Sequence, residues 1–99
     1  MRCFFCGSTY RVDMHHIFGG AYRDKSTKYG LVVPLCHYEC HQFGKDSIHD
    51  GYTPKARERK LYLKQWGQLK AMREQGWTEE QFREVFGKSY LGMRTWRGL

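Results

Sequence analysis

The sequence predicts an α+β fold in one domain: a small stranded half at residues 1–52, stapled through cysteines, and a helical half at residues 53–99 packed on it. Three observations lead there. Cys3-Phe4-Phe5-Cys6 and Cys36-His37-Tyr38-Glu39-Cys40 are two close cysteine pairs far apart in the chain. Leu31-Val32-Val33 is a short β-branched run able to pair with a strand around Tyr10 to Ile17. Thr53-Pro54 and Thr78-Glu79-Glu80-Gln81 are helix starts. A chain of 99 residues suits one domain. It buries a limited share of its surface, so a staple adds what a small core cannot.

Taken in order, the first knuckle ends at Gly7, which suits the left-handed turn after it. The strand near Tyr10–Ile17 runs into Gly19-Gly20. Phe18 to Lys28 reads as a polar, basic loop. Pro34 limits the second strand, because it cannot donate to a ladder. A short helix is expected from the second knuckle to about Phe43, then a loop from Gly44 to Gly51 carrying His49. Thr53 is an N-cap with Pro54 at the first helical position. Leu61, Leu63, Trp66, Leu69 and Met72 form an imperfect apolar stripe, and Gly76 ends the helix. Thr78 and Gln81 make a capping box for a second helix, with Trp77 as a staple onto Phe82. Phe82, Val85 and Phe86 are its expected buried face and Gly87 its stop; Trp66, Trp77 and this cluster read as core rather than base-stacking residues. The tail from Met93 to Leu99, with Arg94, Trp96 and Arg97, is read as loosely ordered.

The N-terminus has no apolar run of signal-peptide length, and no stretch approaches the roughly 20 apolar residues of a membrane span. The expectation is a reducing cytoplasm and no membrane partner. There, clustered thiols bind metal more often than they form bridges. Each knuckle can aim two thiolates at one ion, and two knuckles supply the four tetrahedral ligands of a closed structural zinc site. Binding free energy at such a site becomes folding free energy. His37, inside the second knuckle, either replaces one cysteine as ligand or is a solvated surface residue.

His15 and His16 are adjacent, and neighbours on a flat strand point to opposite faces. Gly19-Gly20 soon ends the strand, so a natural division gives one histidine to a metal and leaves the other to accept a proton from water. His41 directly follows Cys40, and His49 lies eight residues further on. A site of His15, His41 and His49 leaves coordination positions open, which marks catalytic rather than structural metals.

The net charge is +7, with 17 Lys and Arg against 10 Asp and Glu, and aromatics make up 16% of the chain. That balance fits a nucleic-acid partner without requiring one. Arg23, Lys25 and Lys28 are candidate phosphate contacts beside the histidines, and Arg57, Arg59 and Lys60 extend the track along the long helix. Tyr22 lies in the basic stretch and is a candidate for stacking on a base.

Cys3-x-x-Cys6, His15-His16-Ile17, Leu31-Val32-Val33-Pro34-Leu35-Cys36 and Cys40-His41 together resemble the zinc-containing branch of the HNH (ββα-metal) nuclease superfamily. The stretches His15-His16-Ile17-Phe18-Gly19-Gly20-Ala21-Tyr22-Arg23 and Phe86-Gly87-Lys88-Ser89-Tyr90-Leu91 are similar to a group of small phage-encoded HNH proteins. The first likeness covers about residues 3–49, and the second runs to about Leu91. The resemblance implies a ββα-metal core and places the expected location in a host cytoplasm. It implies His15 and His41 as metal ligands, His16 as the general base, and His49 as a third ligand. In colicin-type members the spacing that corresponds to His41–His49 is about half as long. The family's asparagine, which braces the loop behind the base, has no counterpart: the chain contains no asparagine, and Tyr29-Gly30 stands at its position.

The expected activity is therefore metal-dependent endonucleolytic hydrolysis of DNA, leaving a 5′ phosphate as the resemblance implies. An imidazole shell suits Zn²⁺ or Ni²⁺, whereas Mg²⁺ prefers oxygen; Mn²⁺ is also a candidate, and Asp13 or Asp50 could join the shell. No helix built to read a major groove is evident, so little sequence specificity is expected, and a homodimer would supply two sites for two strands. The rival reading is a zinc-ribbon module that binds nucleic acid or protein without cutting. A third is a regulatory protein acting on a host complex through its helical half.

Overall fold

The two strands are β1, Val12–His16, and β2, Val32–Cys36, paired antiparallel with His15 opposite Val33 and His16 opposite Val32. They are seen in a computed structural model, which describes residues 1–93. The expected contributions of Arg94, Trp96 and Arg97 lie outside the described residues.

β2 runs straight through Pro34, contrary to the expectation that proline would end it. Among the described residues the sheet has two strands, so β2 has an edge that no strand of these covers. The Pro34 carbonyl accepts the Phe4 N–H at 2.7 Å, so it is the first knuckle that uses this edge. A missing donor on an uncovered edge costs little.

The stretch between the strands is not a loop. A 3₁₀ turn, Gly20–Tyr22, leads into α1, Arg23–Lys28. Asp24 in the first turn and Lys25 and Lys28 in the last oppose the helix dipole. The buried Ser26 hydroxyl fixes α1 to the end of β1, accepting the Phe18 N–H at 2.9 Å and donating to the Phe18 carbonyl at 2.7 Å. After β2 the chain makes a π-helical turn, His37–Gln42, where a short helix was expected.

α2, Pro54–Gln75, begins and ends where its signals stand. The Thr53 hydroxyl accepts the Ala56 N–H, and Gly76 closes the helix at φ 70°. Such a cap contributes about 1 kcal/mol. Its buried face differs from the expected stripe. Of the five stripe residues only Leu63 is buried, and Leu69 is half exposed. The face that packs is Ala56, Leu63, Gly67, Gln68 and Ala71. Small residues win because α2 lies close on the strand end: a Cβ at Gly67 would stand 3.1 Å from both Ile17 and Phe18.

α3, Glu79–Phe86, carries the full capping box between Thr78 and Gln81. Phe82 and Phe86 are buried and meet Phe18 at ring-centroid distances of 5.6 and 4.6 Å; Val85 is only half-buried. Trp77 packs on Tyr29 at 5.0 Å. Buried Gln68 is satisfied by the Tyr90 N–H and the Ser89 hydroxyl. Residues of both halves, from Cys3 to Phe86, share one apolar core. Among the described residues no helix is long and apolar enough to cross a membrane.

Candidate metal centres

Two groups of potential metal donors stand side by side, joined through the Cys40–His41 peptide. Cys3, Cys6, Cys36 and Cys40 offer sulfurs within 4.8 Å of one another. The first knuckle is folded by its own backbone: Gly7 N–H reaches the Cys3 carbonyl at 3.0 Å with φ 78° at Gly7, and Cys6 N–H points at Cys3 Sγ. Cys6 Sγ and Cys36 Sγ are 3.6 Å apart, with all four thiols free of disulfides. Tetrahedral ligands at the usual Zn–S distance would be about 3.8 Å apart, so the spacing fits an ion at the centre. Burial works against ionising Cys3, but the backbone N–H groups of Cys6, Cys36 and Phe5 outweigh it and lower the thiol to about 6. Burial pushes Cys36 and Cys40 up. Four thiolates this close repel, and a divalent cation is what would let all four ionise together. The cluster could hold a structural metal such as zinc.

His37 is neither a ligand of this cluster nor a freely solvated side chain. Its Nδ1 donates to Asp13 Oδ2 at 2.6 Å, and the same oxygen accepts from His41 Nδ1 at 2.9 Å. These two bonds, His41 first, hold the Asp13 carboxyl below the usual carboxylate range. Asp13, His37 and His41 are close enough to be a donor group themselves, but these separations are those of hydrogen bonds. Asp13 thus orients His41 from behind and leaves Nε2 as the lone-pair donor.

That Nε2 faces the second group, His15, His41 and His49. Ring centroids lie 5.2 Å apart for His15–His41, 5.5 Å for His15–His49 and 4.6 Å for His41–His49. The Nε2 atoms of His41 and His49 are 3.1 Å apart, against about 3.3 Å for tetrahedral ligands at the usual Zn–N distance. Asp50, the other carboxylate considered, is not in either group among the described residues. The eight-residue gap is closed by a backbone ladder: Ile48, His49 and Asp50 N–H groups bond to the carbonyls of Cys40, His41 and Gln42 at 2.8, 2.9 and 3.1 Å. Residues 43–47 are an excursion between its rails, and Gly44 lies so close over the Glu39 carbonyl that no Cβ would fit.

Strand alternation divides the histidine pair. His15 joins the imidazole group, while His16 turns to α1, its Nε2 3.0 Å from the Thr27 hydroxyl. Thr27 also has the Arg23 carbonyl at 3.4 Å. If the hydroxyl gives its one proton to that carbonyl, it accepts from His16 Nε2–H and leaves Nδ1 free to take a proton. Burial lowers the pKa of His15, helped by His41, His49 and Lys64, to about 3. Burial also lowers His49, with His41, and His16, with Arg23. All three are neutral at neutral pH, the form that binds metal or accepts a proton.

His15, His16 and His49 line one side of a cleft of about 250 Å³, and Lys60, Leu63 and Lys64 of α2 line the other. Lys64 was not foreseen. Its ammonium bonds the Ile17 carbonyl and lies 4.9 Å over the Phe18 ring; burial and Lys88 lower its pKa. The expected phosphate contacts separate into two sets. Arg23, Lys28 and Arg57 are exposed, and Lys60 lines the cleft. Lys25 is occupied by the Val85 carbonyl at 2.8 Å. Arg59 turns to the sulfurs: Nη1 lies 3.7 Å from Cys40 Sγ, and the guanidinium sits 4.7 Å over the Phe5 ring. Tyr22 packs half-buried on Phe86 rather than offering a free face.

No protein-family model matches the chain, and neither a curated protein nor a solved structure matches it.

Proposed function

We propose that the chain is a metal-dependent endonuclease of the HNH type that hydrolyses phosphodiester bonds in DNA, with a zinc ion held by Cys3, Cys6, Cys36 and Cys40 as its structural brace. The observation that carries the reading is the convergence of His15, His41 and His49, two of which, His15 and His49, line a cleft that His16 also lines. Three imidazoles with open positions suit a catalytic divalent ion, and we read β1, β2 and the turn that carries His41 as the ββα-metal core of such an enzyme.

A divalent ion in that shell would act as a Lewis acid on the phosphate and stabilise the departing oxygen. His15, His41 and His49 hold it, and Asp13 keeps His41 in the correct tautomer. His16 takes a proton from the attacking water at Nδ1, steadied at Nε2 by Thr27, which does for this base what the missing asparagine does in the resembling family. Exposed Arg23, Lys28 and Arg57 draw the backbone of the nucleic acid to the cleft.

The absence of asparagine favours the second reading, a zinc-ribbon module that binds without cutting. Plasmid nicking by the wild type and His16→Ala, with Mg²⁺, Mn²⁺, Ni²⁺ and Zn²⁺ in turn, separates the two. Metal-dependent nicking that falls at least a hundredfold in the variant is the expected result. DNA binding with no nicking under any ion would replace the enzyme with the module.

A further inference from the structure

We propose that Lys60 and Lys64 of α2 form an anion subsite for the phosphoryl group, facing the imidazole cluster across the cleft. The inference rests on reading this cleft as a phosphodiester site, and it adds the residues that bind the phosphate.

The argument is one of charge. None of the residues lining the cleft is acidic. Lys60 and Lys64 line the cleft together with His15, His16 and His49. Among the described residues neither lysine has a carboxylate partner, although Lys70 on the same helix pairs with Glu74 and Arg83 on α3 pairs with Glu80. Among the described residues Lys64 has one hydrogen-bond acceptor, the Ile17 carbonyl, for its three donors. Two unpaired ammonium groups flanking a site that gathers a cation repel one another and the ion unless an anion lies between them. A phosphate group is the right anion: it can bind the ion on one oxygen and accept from lysine on others.

The placement comes from the fold. Residues 60 and 64 are one helical turn apart, so they share a face, rising about 6 Å. Gly67 brings that face close to the end of β1, and Lys64 stays half-buried there. A surface lysine serving only to attract nucleic acid would not need this depth.

The test is calorimetric titration of inorganic phosphate into the full chain loaded with Ni²⁺, for the wild type, Lys60→Gln, Lys64→Gln, Lys64→Arg and the control Lys70→Gln. The wild type and Lys70→Gln are expected to bind alike. Each Gln variant at 60 or 64 is expected to bind at least tenfold more weakly, and Lys64→Arg within a few fold of wild type, at unchanged nickel content and melting temperature. Binding that is unaltered in Lys60→Gln and Lys64→Gln overturns the subsite, as does a wild type that takes up no phosphate. If Lys64→Gln does not fold, Lys60→Gln decides the outcome. Plasmid nicking by the same samples keeps the two proposals apart. Lysine-dependent phosphate binding without nicking sustains the subsite and removes the nuclease. Nicking with KM unchanged in both Gln variants does the reverse.

Discussion

The sulfur cluster and the imidazole cluster are neighbours built to opposite plans. The first gathers four donors, enough to close a tetrahedron, with Cys3, Cys36 and Cys40 buried. With a dication it would keep a net negative charge, and Arg59 stands against Cys40 Sγ to meet it. The second gathers three imidazole donors, and two of them line a cleft that Lys60 and Lys64 also line. The contrast teaches that donor count and the sign of the surrounding charge, more than donor proximity, distinguish a brace from a reaction site.

The comparison breaks hardest at the sulfurs. Cys40→Ser should abolish zinc retention and the cooperative thermal transition with it, since structural zinc contributes about 10 kcal/mol or more to folding of small domains. Metal analysis and circular dichroism melts would show it; a variant that melts like the wild type would mean the cluster braces nothing. His41→Ala should do the opposite, losing the second ion and nicking activity while keeping one zinc per chain and most of the stability. Asp13→Asn is a milder cut. It leaves all seven donors in place but weakens the second ion's binding about 10- to 100-fold, read by titration with Ni²⁺. The smallest effect, read over the first pH unit below neutrality, is on acid sensitivity of the metal-free chain. His15 takes up protons more readily unfolded, near its usual 6.5, than folded, near 3, so stability should fall as pH drops through that window. His15→Asn should flatten that part of the melting-temperature profile, and an unchanged slope would show that His15 is not the group responsible.

What could be read in the sequence was local. The cysteine spacings, the Thr53-Pro54 start and the Thr78–Gln81 box each need only a few adjacent residues, and all stand as read. Strand alternation alone separated His15 from His16. The rest depended on contacts the chain makes at a distance. α1 has no apolar periodicity, and its only signal is the order of Asp24, Lys25 and Lys28. The apolar stripe of α2 misled because close packing at Gly67 selected small residues over large ones. Lys64 became a cleft residue through that same contact. Thr27, the partner of His16, carries no mark in the sequence that sets it apart from other polar residues, and Asp13, considered there as a metal ligand, instead bonds His41. His49 is a ligand in the sequence only through the resemblance, at twice the spacing of colicin-type members, and a main-chain ladder is what brings it to His41.

α2 touches both clusters within two turns: Arg59 on the sulfurs, Lys60 and Lys64 on the cleft. A rigid rod pinned at one point transmits displacement to the next. Loss of the brace should therefore reach the cleft through α2 itself, so that weaker grip on the anion and loss of the melting transition appear together.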